Sequence, residues 1–199
     1  MKKYLVFFAL GFTLYSSVRA QVSFGAKAGG ALTSLPRSSS NDSKIGVYGG
    51  IAAGIPLNKV VSLQAELYYS QQGNKVKVMI TDERGNDVGT AKLVYRLNYI
   101  NLPVLLRCQL PKSFFAELGL QAGLLVSARV KGSGGSTNIK DLYESFDLSL
   151  PFGIGYKLKN GFGVNLRYNA GLTNVYKTNF RKPHNSVAQL GIFYNLKKH

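Results

Sequence analysis

Residues 147–175 (DLSLPFGIGYKLKNGFGVNLRYNAGLTNV) restrict the possible folds of this chain more than any other stretch. Phe162, Val164, Leu166, Tyr168, Ala170 and Leu172 are apolar or aromatic, and Gly163, Asn165, Arg167, Asn169, Gly171 and Thr173 stand between them. The preceding arm sets Phe146, Leu148, Leu150, Phe152, Ile154, Tyr156 and Leu158 against Asp147, Ser149, Pro151, Gly153, Gly155 and Lys157. Successive strand side chains point to opposite faces, so each arm has one greasy and one polar face. Lys159-Asn160-Gly161 joins the arms, and Asn-Gly supplies the positive φ angles of a tight hairpin turn. Strands of a soluble sandwich run about 5–6 residues. These arms are about twice that length, which suits tilted strands crossing a bilayer, where about 9–11 residues are needed. The expected fold is all-β, a membrane-spanning barrel.

The remaining chain repeats the pattern. Alternating segments at 22–32, 45–55, from 60 to about 80, 92–110, 114–127 and 186–196 join the two arms to give about eight antiparallel strands. In the fourth strand Leu93, Tyr95, Leu97 and Tyr99 form the apolar set with Arg96 and Asn98 inward, after which Leu102, Val104, Leu106, Cys108 and Leu110 take over. A one-residue slip reverses the faces, so a β-bulge is expected near Ile100–Asn101. The connections alternate long and short along the chain, which is the up-and-down pattern of outer-membrane barrels, with short periplasmic turns and longer external loops. Strands three and four are long enough to project beyond the membrane as a hairpin.

Lys2 and Lys3, an apolar run over 4–14, and Val18 and Ala20 at small-residue positions predict a signal peptide at 1–20 cleaved before Gln21, leaving the barrel as 21–199. The formal charge of +16 falls to +13 when Lys2, Lys3 and Arg19 leave with that segment. Cys108 is the one cysteine, so no internal disulfide forms, and it falls on an apolar face where inert packing is expected.

With the strands placed, the chain resembles the PorT-type outer-membrane β-barrel family of the Bacteroidota. The matching stretches are FGAKAGG at 24–30, AELYYSQQG at 65–73, LNYINLPVLL at 97–106, GIGY at 153–156 and RYNAGLT at 167–173, with 97–106 the most specific. The resemblance implies an eight-stranded outer-membrane barrel and points to a link with cargo secretion.

An eight-stranded barrel has an interior just wide enough for side chains, so an open pore is disfavoured. Alternation places Lys27, Glu66, Arg96, Arg107, Glu117, Asp147, Lys157 and Arg167 inside. Buried charges need partners, so these predict a salt-bridge and hydrogen-bond network filling the lumen, with an ion or proton path as the alternative. Bases in or near the outer loops, among them Lys44, Lys75, Lys77, Lys92, Arg129, Lys131, Lys177, Arg181 and Lys182, are candidates to hold anionic lipid and glycolipid phosphates, and Lys75, Lys77, Lys177, Arg181 and Lys182 are the leading ones. The projecting hairpin and outer loops could also meet a protein partner. No catalysis is expected: His184 lies beside Ser186, with Glu144 or Asp141 as conceivable partners for a lipid hydrolase, but no nucleophile motif surrounds that serine. No His/Cys cluster has metal-ligand spacing, no cofactor motif is present, and nucleic acid is not an expected partner. Alternation leaves open which face is inside, so a soluble lipocalin-like barrel holding a small lipophile in an apolar cavity is the competing fold.

Overall fold

The computed structural model describes residues 22–34, 41–81, 84, 87–132, 135–175 and 184–196. The expected leader and Lys177, Arg181 and Lys182 lie outside them. The strands are β1 (Ser23–Ser34), β2 (Asn41–Pro56), β3 (Val61–Thr81), β4 (Asp87–Gln109), β5 (Phe114–Gly132), β6 (Gly135–Asn138), β7 (Phe146–Lys157), β8 (Phe162–Asn174) and β9 (His184–Asn195). All pairings are antiparallel, in the order β4-β3-β2-β1-β9-β8-β7-β5, and the β4–β5 pairing closes the ring. Eight strands therefore make the barrel. The ninth, β6, pairs only with the end of β5, from Arg129↔Asn138 to Gly132↔Gly135. It lies in a segment that reads as flexible loop, because GSTN carries no apolar alternation; backbone pairing alone makes it a strand.

The barrel is apolar outside and polar inside. Ile51, Leu67, Leu102, Leu118, Ile154, Leu166 and Ile192 are exposed on the outer face, while Glu66, Gln121, Asn165, Arg167 and Gln189 are buried inside. This is the reverse of a lipocalin and the arrangement that a lipid surround requires. At the short-turn end the outer face carries aromatic pairs, Phe114 with Tyr156 at 4.9 Å and Phe162 with Tyr194 at 4.6 Å between centroids. Cys108 is exposed on this outer face rather than packed.

The parity slip expected in β4 is not there. Leu97, Tyr99, Asn101, Pro103 and Leu105 are all buried, and Ile100, Leu102, Val104 and Leu106 all point out. No side chain changes sides. The surroundings change instead: from Ile100 to Leu106 the outer face is the greasy one, whereas before Ile100 the hairpin stands clear of the apolar belt and turns its apolar set inward. The irregularity lies across the pairing, where Asn98↔Ser127 is followed by Tyr99↔Leu125 and Val126 is the extra residue on β5. Arg96, expected inside, is consequently exposed on the outer face.

Two turns show how local chemistry sets the short-turn end. In the β7–β8 turn only Gly161 has a positive φ, at 95°, and the Phe162 N–H donates to Asn160 Oδ1 at 3.2 Å. Asn160 thus works through its side chain and not, as its Asn-Gly context suggests, by adopting a left-handed backbone. The β4–β5 turn places two non-glycine residues in left-handed conformations, Lys112 at φ 58° and Ser113 at φ 67°. Such residues cost about 1–2 kcal/mol each. Ser113→Gly should therefore raise the denaturant midpoint of the folded barrel by the equivalent of about 1 kcal/mol; an unchanged or lowered midpoint would contradict the strain.

Candidate functional site

The centre of the lumen is an ionic cluster drawn from five strands. Arg167 on β8 is 1% exposed. Its guanidinium grips Glu66 of β3 through two donors, Nη1 to Oε2 at 2.7 Å and Nη2 to Oε1 at 2.8 Å. Nε also donates to Glu117 Oε1 of β5 at 2.7 Å. Lys27 of β1 donates to Glu66 Oε2 at 2.8 Å, and Arg107 of β4 donates to Glu117 Oε2 at 2.9 Å. Gln64 Nε2 adds a bond to Glu66 Oε1 at 2.6 Å. The planar arginine fork suits two carboxylates at once, which a lysine could not reproduce. Three bases against two acids leave the cluster with a surplus positive charge. Aromatic faces accept part of it: Arg107 lies 3.9 Å over the Phe115 ring, and Lys27 lies 5.3 Å from both the Tyr48 and Tyr68 centroids.

Beside the cluster is a cavity of about 10 Å³ bounded in part by Lys27, Gln64, Glu66, Arg107, Asn165 and Phe193. That is space for a single water. Arg107 Nε and Asn165 Oδ1, both on residues that bound it, have no protein partner.

Toward the long-loop end the filling is mostly uncharged, with Lys44 and Asp147 as buried exceptions. Tyr68 donates its hydroxyl to Gln121 Oε1 at 2.6 Å, and Gln121 Nε2 donates to Asn101 Oδ1 at 3.3 Å. Asn101 and Gln72 both donate to Ser70 Oγ, at 3.0 and 2.7 Å, and Asn185 Nδ2 donates to Gln72 Oε1. Above this ladder an apolar cluster of Leu97, Tyr99, Leu125, Ala128, Tyr143 and Val175 fills the mouth. Side chains occupy the ring at each of these levels, leaving no wide aqueous path through the described residues.

Glycines make room for this filling. A Cβ on Gly155 would lie 2.2 Å from Phe115 Cζ, and one on Gly163 would lie 2.2 Å from Phe193 Cζ. Both rings lie against bare backbone, where they also support Arg107. These glycines read in the sequence only as polar-face spacers, since nothing local says which ring will cover them.

The structure brings Lys27, Glu66, Arg107, Glu117 and Arg167 together. Asp147 is buried but apart, accepting from Thr173 Oγ1 at 2.8 Å. Lys157 is exposed near the short-turn mouth. Lys44, grouped with loop bases by its position, is buried and donates to the Gln72 carbonyl at 2.9 Å. Gln64, Tyr68, Gln121 and Gln189 complete the filling; alternation places them inward but cannot reveal their partners across strands. Lys75 and Lys77 are exposed on β3, and His184, Asp141 and Glu144 are exposed on the long-loop side.

A family model described as outer membrane protein beta-barrel domain matches residues 6–177. No curated protein sequence matches. Among solved structures, the crystal structure of neisserial surface protein A is 16% identical, covers 88% of this chain and 97% of its own, and superposes with a TM-score of 0.56. Ail, the attachment invasion locus protein of Yersinia pestis, is 10% identical over 90% of this chain and 100% of its own, with a TM-score of 0.49. At such identities the likeness to the neisserial protein is one of fold.

Proposed function

From the premise that the chain belongs to the outer membrane protein β-barrel domain family, we propose that it is a closed, non-conducting barrel whose task is binding or structural and is carried out at the cell surface. The carrying observation is the contrast between a lumen filled by the Arg167 cluster and a β3–β4 hairpin that outruns the ring. β3 and β4 have 21 and 23 residues against 12 in β1. β2 leaves β3 at Val76 and β5 leaves β4 at Val94, so among the described residues the hairpin tip pairs only with itself. An overhanging two-stranded ribbon is suited to meeting a partner through its edges.

Several finer readings accompany this one. Export by the signal peptide at 1–20 would give a mature N-terminus at Gln21, which intact-mass measurement of the outer-membrane protein would test; a mass that retains residues 1–20 would refute it. PorT-type membership rests on the stretches quoted above, and a secretion-linked role would use the hairpin as the contact for exported cargo. The protein is read as a non-enzyme, a reading supported by the exposure of His184 and the lack of a nucleophile motif at Ser186.

The deciding experiment is in-membrane crosslinking followed by purification, with planar-bilayer recording in parallel. Reproducible recovery of one surface or exported partner, lost when 77–92 is replaced by a short turn, supports the binding role. Steady single-channel conductance from the purified barrel would overturn the closed-barrel reading.

A further inference from the structure

The outer face of the hairpin holds a charge pattern that the binding reading alone does not require. On β3 the outward positions are Tyr69, Gln71, Gly73, Lys75 and Lys77. Their β4 partners in register are Ile100, Asn98, Arg96, Val94 and Lys92. On β5, Ser127, Arg129 and Lys131 stand opposite Asn98, Arg96 and Val94. Six bases, Lys75, Lys77, Lys92, Arg96, Arg129 and Lys131, therefore share one face of a continuous sheet, and all six are exposed. Among the described residues two acidic positions border it, Asp42 opposite Lys75 and Asp87 opposite Thr81. Arg96 directly faces Arg129 across the β4–β5 ladder. Like charges directly opposite each other across a ladder are destabilising, so this face is poised for an anion.

Its position identifies the anion's source. The face is the upward continuation of the greasy outer wall, which on these strands ends at Tyr69, Ile100 and Val126. Strands rise about 3.3 Å per residue and tilt about 45°. The bases from Arg96 out to Lys92 thus stand about 9 to 19 Å above the Ile100 row. The polar layer of an ordinary phospholipid leaflet is only about 5–8 Å deep. A basic face that starts at about that depth, reaches well beyond it and looks sideways along the membrane fits anionic groups carried higher, on sugars anchored in the same leaflet.

We propose that the outer face of the β3–β4–β5 sheet is a docking face for the phosphorylated glycolipid of the outer leaflet, with Arg96 and Arg129 taking the inner phosphate and Lys75, Lys92 and Lys131 the outer anionic groups. Guanidinium forks suit phosphate oxygens, and ammonium groups serve as point charges farther out. The proposal rests on the outer-membrane reading, which is checked separately by heat-dependent mobility in SDS.

The test uses the full mature barrel in detergent micelles, titrated with a purified bis-phosphorylated glycolipid, its dephosphorylated form, phosphatidylglycerol and a soluble sulfated oligosaccharide, with bound species counted by native mass spectrometry. The expected result is preferential binding of the phosphorylated glycolipid, weakened by salt. Binding should be at least tenfold weaker in Lys75→Gln/Lys92→Gln/Arg96→Gln/Arg129→Gln, and unchanged in Lys59→Gln/Lys112→Gln/Lys159→Gln, which removes charge at the short-turn end. Equal binding of the dephosphorylated form, or an unweakened quadruple variant, would overturn the proposal. Preference for phosphatidylglycerol, or for the soluble oligosaccharide over the glycolipid, would also overturn it by assigning the face to another anion. The comparison among ligands on the unsubstituted protein stands even if the variant fails to fold.

Discussion

Arg167→Met should lower the stability of the folded barrel by about 3–5 kcal/mol. Among the described residues, the guanidinium of Arg167 is the one group bonded to both Glu66 and Glu117, at 2.6–2.8 Å. Without it Glu66 keeps Lys27 and Gln64, and Glu117 keeps Arg107, but four of the bonds that offset their burial are gone. The penalty is that of leaving charge under-compensated in a low-dielectric interior, which exceeds the net worth of the intact pair. Two controls separate these quantities. Arg167→Lys retains the charge but not the fork and should recover only part of the loss. Lys27→Met/Glu66→Gln/Arg167→Met leaves no unpaired charge in the cluster, since Glu117 keeps Arg107, and should recover more. The readout is the denaturant midpoint of the heat-modifiable band, and a loss below about 1 kcal/mol in Arg167→Met would show that the cluster contributes little.

Gly29→Val should block closure of the barrel, whereas Gly30→Val should leave it intact. The two glycines are neighbours on β1, at the seam where the first and last strands meet. A Cβ on Gly29 points inward, 2.2 Å from the Leu190 carbonyl oxygen, 2.6 Å from Gly191 Cα and 2.9 Å from the Tyr48 ring. Backbone atoms cannot swing aside as a side-chain tip can, so β1 and β9 would have to part. Overpacking of this kind costs about 3 kcal/mol or more, and here it falls on the ring's closing pairing. A Cβ on Gly30 points outward and meets nothing within 4 Å. In a refolding assay into detergent or lipid, Gly29→Val should yield little heat-modifiable band and Gly30→Val a normal yield. Equal yields would show that the seam can open to admit a side chain.

The two predictions rest on information of different kinds. That residue 29 faces in and residue 30 out is legible in the alternation of 22–32. That Gly29 lies against Gly191 and under Tyr48 is not, because those partners are brought to it by the register of β1 with β9 and β2. The lumen divides the same way. The pattern puts Lys27, Glu66, Arg107, Glu117, Asp147 and Arg167 on inward faces, and each strand can be read alone for that. Which of them meet depends on the stagger between strands: Glu66 and Arg167 are 101 residues apart in sequence and share two hydrogen bonds, while Asp147 ends beside Thr173.

β4 shows where a local pattern misleads. Its apolar residues change parity near Ile100, and sequence reasoning translates that change into a bulge that keeps the greasy face outside. A strand's pattern records only which face is drier, not which side that face is on. Within the belt the dry side is outside; at the mouth it is inside, where Leu97 and Tyr99 join Leu125, Tyr143 and Val175. Arg96 accordingly stands outside, in line with Arg129, as part of a basic face that no single strand displays.

By itself, then, the sequence determined the all-β class, the eight long strands, their two-faced character and the alternation of short turns with long loops, because period-two polarity and turn chemistry act over a few residues. Only the tertiary structure decided that the polar face is the interior, which charges neutralise one another there, which glycines lie under aromatic rings and where the hairpin leaves the apolar belt. Those outcomes depend on strand register, on closure of the ring and on the medium outside each segment, all of which involve residues far apart in the chain.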